Sequence, residues 1–86
     1  MILSGFSREL GDYFRRARVK ANLSQNYISE KLGLANGQYV SNVENGRTTP
    51  SDAFIETAIK EYDIDRADFI KKLNKMILKE LQEKYG

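Results

Sequence analysis

The stretch LSQNYISEKLGLANGQYVSNVENGRTTPS, residues 23–51, decides the fold. Near its start, Ser24 is a good N-cap residue, and Gly33 is of the residue type that most often follows the end of a helix. Between them Ile28 and Leu32 stand four positions apart, which places both side chains on one face of a helix. The sequence therefore predicts a short helix between Ser24 and Gly33.

A second short helix is predicted over residues 37–44, after a four-residue turn that begins at Gly33. Asn36 is its predicted N-cap, and Asn45-Gly46 is expected to end it because both residue types tolerate positive φ. Two short helices joined by a turn that contains glycine are typical of a helix-turn-helix. The turn alone is a weak signal, since many helical domains contain such a pair.

The outer face of the second helix carries a more specific signal. Its two valines are spaced to face the core, and the opposite side holds amides and hydroxyls instead of the usual Lys and Glu: Gln38, Ser41, Asn42 and Asn45. An amide side chain can donate to and accept from the edge of adenine in one bidentate contact. We expect Gln38, Ser41 and Asn42 to read base edges in DNA, and the alternative is an exposed polar surface without a ligand.

Helical spacing of apolar residues also extends over the remaining chain. It predicts three further helices, over about residues 7–21, 52–62 and 66–84. The first of these carries an apolar stripe made of Phe6, Leu10, Phe14, Ala17 and Ala21. The sequence thus predicts an all-α fold, with residues 1–75 as the domain and residues 76–86 as a C-terminal helix extension.

Composition and charge narrow the function classes. The 86 residues contain no Cys and no His, which removes disulfides, Cys zinc sites and most hydrolytic triads. No apolar run reaches the roughly 18 residues of a membrane span, and no secretory leader is seen at the start. Residues 1–50 carry seven basic and four acidic side chains, whereas residues 51–86 carry seven and eight. We therefore expect a soluble binding module without a cofactor, whose basic excess lies beside the two short helices; ordinary surface solvation explains that excess equally well.

Residues 23–51 resemble the Cro and phage-repressor type of helix-turn-helix family, also called the XRE type. The likeness extends over about residues 7–74 and is carried by Leu23-Ser24-Gln25, Ile28, Leu32-Gly33, Val40-Ser41, Val43-Glu44-Asn45-Gly46-Arg47 and Pro50-Ser51. It implies a five-helix bundle like that of lambda repressor, with the second motif helix in the major groove and two-fold dimers on DNA. The turn here is one residue longer than the common pattern, and Gly37 stands where the family often has a polar side chain. Tyr39 is expected to be half-buried under the longer turn, because burying an aromatic ring is a large term in a small core, and the alternative is that it stacks on a sugar of DNA.

The resemblance also implies roles for residues around the motif. Phosphate contacts are expected from both motif helices and from the loop that follows: Gln25, Asn36, Asn45, Arg47 and Thr48, with Thr49 beside them. Gln25 is also expected to brace a side chain of the third helix. The alternatives are a solvent-exposed Gln25 and an ordinary polar loop. Arg18 and Glu44 are expected to form a buried or half-buried salt bridge between the first and third helices. Arg15, Arg16 and Lys20 are candidate phosphate contacts, with a solvated helix face as the equal alternative.

The last predicted helix continues beyond Asn74, where the domain of the resembled family would end. Two adjacent apolar stripes run along it, and a helix in a small bundle buries only one of them within its own domain. We expect the other stripe to form a two-fold dimer interface, made of Ile70, Leu73, Ile77, Leu78, Leu81 and Tyr85. The alternative is that residues 78–86 are a frayed, solvated tail.

The sequence therefore predicts a sequence-specific, double-stranded DNA-binding transcriptional regulator, a repressor that binds a near-palindromic operator as a homodimer. It is expected in the cytoplasm, bacterial or phage-encoded, with a regulatory partner protein as a further candidate partner. The alternative function is a protein-interaction module, such as an antitoxin or adaptor, that uses the same fold with weak or no DNA binding. An enzyme is not expected, for want of His, Cys or a Gly-rich loop that would cradle phosphate.

Overall fold

A computed structural model describes the backbone of residues 4–86 and the side chains from Ser7 onward. These residues form five helices and no strand: α1 Ser4–Lys20, α2 Gln25–Lys31, α3 Gln38–Glu44, α4 Asp52–Glu61 and α5 Arg66–Tyr85. The predicted all-α fold is confirmed for this part of the chain. None of these helices combines the length and the apolar character that a membrane crossing requires.

The observed helices begin close to the predicted positions, with two corrections. Helix α1 begins about a turn earlier than predicted, at Ser4, and its backbone is helical through residues 4–6. Helix α3 begins at Gln38, with Gly37 in the N-cap position, yet the Asn36 Oδ1 atom still accepts a hydrogen bond from the Gln38 N–H at 2.9 Å. The side chain of Phe6, predicted on the α1 stripe, and residues 1–3 of the predicted domain lie outside the described part of the chain.

Side-chain caps determine where three of the helices begin. The Ser24 hydroxyl accepts a hydrogen bond from the Tyr27 N–H at 3.0 Å, which confirms the predicted cap of α2. The Ser51 hydroxyl accepts from the Phe54 N–H at 3.1 Å, and Asp65 caps α5 in the same way. Each of these bonds pairs an N–H that the first turn of a helix leaves without a partner, and each contributes about 1 kcal/mol.

Helices α1 to α4 are each followed by a residue with positive φ: Asn22, Gly33, Gly46 and Asp63. After α3, the Gly46 N–H donates to the Val43 carbonyl at 3.1 Å and the Arg47 N–H donates to the Asn42 carbonyl at 2.9 Å. These two bonds form a Schellman motif, which needs only one left-handed residue. Asn45 accordingly keeps a φ of −92°, and Gly46 alone reverses the chain.

Phe14 of α1 lies at the centre of the core and has no exposed surface. Its ring meets the ring of Phe54 in α4 edge-on at 5.2 Å between centroids, and the ring of Phe69 in α5 at 5.6 Å. Farther along, Glu9 of α1 pairs with Lys79 of α5 at 3.7 Å, so the two helices run antiparallel. Helix α1 is therefore the central helix of the bundle, and it packs against both α3 and α5.

Two glycines let α1 and the end of α3 approach closely. A methyl group at Gly11 would collide with the Val43 carbonyl oxygen and would lie 2.8 Å from the Glu44 carbonyl oxygen. A methyl group at Gly46 would lie 2.9 Å from the Cα atom of Arg8. These backbone contacts set how α3 is held against the bundle, and hence which of its sides faces outward.

Candidate nucleic-acid interface

Four polar side chains follow the outer side of α3 and are hydrogen-bonded in pairs. The Gln38 Nε2 atom donates to Asn42 Oδ1 at 3.0 Å, and the Asn45 Nδ2 atom donates to Ser41 Oγ at 3.3 Å. Gln38 and Asn45 are exposed, and the other two are half-exposed. On the opposite side the two valines of α3 have no exposed surface. Helix α3 thus presents a polar row, which we call the amide row, and keeps its apolar side in the core.

The pairing inside the amide row leaves hydrogen-bonding groups free for a ligand. Gln38 donates to its neighbour, so its own carbonyl oxygen is an available acceptor, while the Asn42 amide nitrogen remains an available donor. Side chains four residues apart lie next to each other on a helix. In the major groove adenine presents a donor and an acceptor side by side, which is the complementary arrangement.

The beginning of α3 lies against the beginning of α2 because residue 37 is a glycine. A methyl group there would be 3.0 Å from the Asn26 Oδ1 atom and 3.3 Å from the Gln25 Cβ atom. The long connection, residues 32–37, therefore closes tightly onto α2. The resembled family often has a polar side chain at this position, and such a side chain would have to displace these atoms.

A buried ion pair joins α1 to the end of α3. The Arg18 Nε atom is 2.7 Å from Glu44 Oε2, and the guanidinium NH2 group is 3.1 Å from Oε1. The side chains are 14% and 1% exposed, respectively. Arg18 also donates to the Leu23 carbonyl oxygen at 2.8 Å, and its hydrogen bonds to Glu44 raise the pKa of the guanidinium above its ordinary value. The structure thus places the two expected partners in direct contact.

Gln25, at the beginning of α2, is part of the same network. Its Nε2 atom donates to Glu44 Oε1 at 2.9 Å, so this amide group is bonded within the protein. The side chain is half-buried and braces α3 from the side of α2. Its expected contact with a DNA phosphate remains a prediction.

Tyr62 lies beside this network and is buried. Its hydroxyl has no hydrogen-bond partner among the described residues. Burial raises the pKa of Tyr62 well above its ordinary value of 10.0, and the negative charge of Glu44 raises it further. Both effects favour the neutral form of the hydroxyl.

The loop after α3 exposes the Arg47 guanidinium and the Thr49 side chain, while Thr48 is half-buried. The Arg47 backbone N–H is already bonded to the Asn42 carbonyl, so the guanidinium is the group of this residue that is free for a phosphate. The loop then leads directly into α4.

Tyr39 anchors the end of this loop to α3. Its hydroxyl accepts a hydrogen bond from the Ser51 N–H at 2.9 Å, and its ring packs edge-on against Phe54 with centroids 6.1 Å apart. The side chain is half-buried, as expected. Tyr39 therefore holds the loop in place.

Family comparison agrees with this geometry. The family model described as a helix-turn-helix domain matches residues 9–69, which include α2, the turn and α3. The chain belongs to this helix-turn-helix domain family. The match is consistent with the Cro-like resemblance seen in the motif. No curated protein matches the chain.

Other basic residues that were candidate phosphate contacts of the helix-turn-helix domain have different surroundings. Arg15 and Arg16 pair with Asp12 at 2.8 Å and 2.9 Å. Arg16 and Lys20 line a groove between α1 and α5. The structure gives these residues no contact with the amide row, and it favours the solvated helix face that was the alternative.

The helix-turn-helix domain also contains a basic residue that sequence reasoning missed. Arg8 of α1 is exposed and lies directly against Gly46, the residue before Arg47. No spacing rule connects residues so far apart in the chain. Only the packing of α1 on α3 brings Arg8 beside the loop.

Helix α5 of the helix-turn-helix domain carries large apolar side chains that face solvent: Ile70, Leu78, Leu81 and Tyr85, which are 51%, 57%, 37% and 71% exposed. Leu73 and Ile77 are half-buried, and Leu73 packs against the core of its own domain. The helix runs without a break through residue 75, so no change of secondary structure marks the predicted boundary there.

Residues 4–86 contain no group of three or more acidic side chains placed to hold a metal ion. The chemistry that the helix-turn-helix domain does present is hydrogen bonding from the amide row and positive charge from the arginines at its edge. Both suit recognition of a ligand.

Proposed function

We propose that this chain is a sequence-specific, double-stranded DNA-binding transcriptional regulator that represses through a near-palindromic operator. The amide row of α3 is the observation that carries this proposal. Its outer groups match base edges in the major groove, and its apolar back is held in the core. A preorganised row avoids much of the cost of ordering side chains on binding. Such a regulator acts in the cytoplasm of a bacterium or of a phage-infected cell.

Selection of bound duplexes from a random library tests the proposed function. We expect enrichment of a sequence with two related half-sites whose centres are about 34 Å apart, one helical turn of DNA. Adenine is expected where Gln38 and Asn42 face the groove. A pool that shows no enrichment after repeated rounds would contradict the proposal.

Alanine at Gln38 or at Asn42 should weaken binding to the selected operator by about 1–3 kcal/mol and relax the preference at one base pair per half-site. The two side chains act as one hydrogen-bonded unit, so the double variant should lose less than the sum of the single variants. Quantitative binding to the operator and to single-base variants measures both effects.

Thr57→Ala on α4 is a control, because it removes an uncharged polar group that is half-exposed, like Asn42, but lies outside α3 and outside the exposed stripe of α5. It should bind like the parent. Unchanged affinity and base preference in Gln38→Ala and Asn42→Ala would mean that α3 does not read the sequence.

We further propose that two chains pair through the exposed stripe of α5, and that residues 76–86 serve mainly this pairing. The exposed apolar side chains at Ile70, Leu78, Leu81 and Tyr85 support it, because burying them in a second copy removes them from water. Two-fold symmetry is also what a near-palindromic site requires.

The double variant Leu78→Lys/Leu81→Lys should convert a dimer to a monomer at tens of micromolar, as measured by light scattering, since lysine is costly to bury at an apolar interface. A chain truncated after Lys75 should behave likewise. Glu83→Lys changes charge on the opposite side of α5 and should leave the dimer intact. A monomeric parent that binds one half-site as tightly as a paired site would contradict the dimer.

The same exposed stripe is the observation that favours the second candidate function, a protein-interaction module with weak or no DNA binding. The two candidates differ in the library selection. A regulator enriches one operator, whereas an interaction module recovers no preferred duplex. For an interaction module, the Leu78→Lys/Leu81→Lys variant should still lose binding to the protein partner.

A further inference from the structure

The arginines of this chain divide into two groups by their surroundings. Of six arginines, four are paired with carboxylates: Arg15 and Arg16 with Asp12, Arg18 with Glu44 and Arg66 with Glu56. Arg8 and Arg47 form no ion pair with any side chain in residues 7–86, and both are exposed. Their charges are therefore available to an external anion.

The fold places the backbone of Arg8 against Gly46, the residue before Arg47. Gly46 approaches α1 so closely that a methyl group there would lie 2.9 Å from the Arg8 Cα atom and 3.1 Å from its backbone nitrogen. Arg47 follows Gly46 directly. A small recess at Gly46 and Arg47 is also lined by three hydroxyl residues: Ser7, Thr48 and Thr49. The fold thus brings the backbone of Arg8, whose side chain is exposed, beside the loop that carries the exposed Arg47. We call this surface, with the three hydroxyl residues, the Arg8–Arg47 patch.

We propose that Arg8 binds a phosphate of the DNA backbone beside the end of α3, and that it does so together with Arg47. This inference rests on the proposed DNA-binding function. It adds a contact from α1, outside the two motif helices. The contact positions α3 in the groove and does not read sequence.

A phosphate of DNA fits the Arg8–Arg47 patch for two physical reasons. A guanidinium group binds phosphate oxygens with two parallel hydrogen bonds, and two neighbouring positive charges attract an anion more strongly than one. The patch also continues the amide row, because Asn45 at the end of that row precedes Gly46. A duplex that places bases against α3 therefore brings its backbone toward this patch.

The salt dependence of DNA binding tests the proposal. Each neutralised phosphate contributes a slope of about −0.9 to a plot of log affinity against log salt concentration. Between 50 and 200 mM salt the affinity of both proteins falls, and the factor by which it falls should be about 3.5 times smaller for Arg8→Ala than for the parent, for each chain bound. The effect should be the same on the selected operator and on random duplex. Arg8→Lys keeps the charge and should keep the slope.

Arg16→Ala is the matched control, since it removes an exposed arginine of the same helix that is already paired with Asp12. It should leave the slope unchanged. If the parent binds duplex and Arg8→Ala has the slope of the parent and of Arg16→Ala, Arg8 does not bind DNA and only this inference fails. If the parent binds no duplex at all, the proposed function fails, and the inference fails with it. A melting curve of each variant verifies that the fold is intact.

Discussion

Replacing Arg18 by alanine should lower the free energy of unfolding by about 3–5 kcal/mol, because it leaves a buried carboxylate without its counter-ion. Glu44 is 1% exposed, and after the substitution only the Gln25 amide would bond to it. A domain of this size loses about 4–8 °C of melting temperature for each kcal/mol. The expected fall in melting temperature is therefore at least about 12 °C.

The reverse substitution, Glu44→Ala, should cost less than Arg18→Ala. The remaining guanidinium is 14% exposed and keeps its bond to the Leu23 carbonyl, so it is better satisfied than the lone carboxylate would be. The double variant Arg18→Ala/Glu44→Ala should be less destabilised than the sum of the two single variants, because neither charge is left alone. Urea unfolding of the three variants measures the order and the coupling.

An exposed ion pair of similar geometry provides the control. Arg66 and Glu56 join α5 to α4 with bonds of 2.8 Å and 3.1 Å, but both side chains are well exposed. Glu56→Ala should leave the melting temperature nearly unchanged, since water replaces the lost partner. Equal and small effects of Arg18→Ala and Glu56→Ala would contradict the structural role assigned to the buried pair.

Gly46→Ala should lower the free energy of unfolding by about 2–5 kcal/mol. An alanine at positive φ costs about 1–2 kcal/mol, and the φ of Gly46 is +73°. The added methyl group would also press on the Arg8 backbone, and overpacking of this kind costs about 1–3 kcal/mol more. The end of α3 would have to move away from α1.

Gly33→Ala separates the two contributions to this loss. Gly33 follows α2 with a φ of +75°, but nothing lies within 4 Å of the position of an added methyl group. It should lose only the conformational cost of about 1–2 kcal/mol. Equal losses for Gly33→Ala and Gly46→Ala in urea unfolding would mean that α1 does not press on Gly46.

Local chemistry made the helix-turn-helix predictable. The Ser24 cap, the glycines that follow α2 and α3, and the apolar spacing inside each helix depend on residues within a turn or two of one another. The division of α3 into a buried side and an amide row follows from the same periodicity. These features need no knowledge of the other helices, so they could be read from residues 23–51 alone.

Local patterns predicted the hydrogen-bond and ion-pair partners of polar side chains less well than they predicted the helices. Arg15 and Arg16 were candidates for phosphate contacts, yet Asp12, one turn earlier on the same helix, pairs with both. Gln25 was expected to contact a phosphate and to brace the third helix, and only the packing shows that Glu44 is the side chain its amide braces. Such choices depend on competition among partners, which spacing along one helix does not resolve.

By itself the sequence determined which segments are helical, the cap of α2 and the chemistry of the outer side of α3, because each depends on short-range backbone and packing preferences. The tertiary structure alone decided how α1 lies on α3. Gly11 and Gly46 permit that contact, and it places Arg8 beside Arg47. The two arginines are far apart in the chain, and their proximity depends on the packing of whole helices around Phe14. No local preference encodes such a meeting.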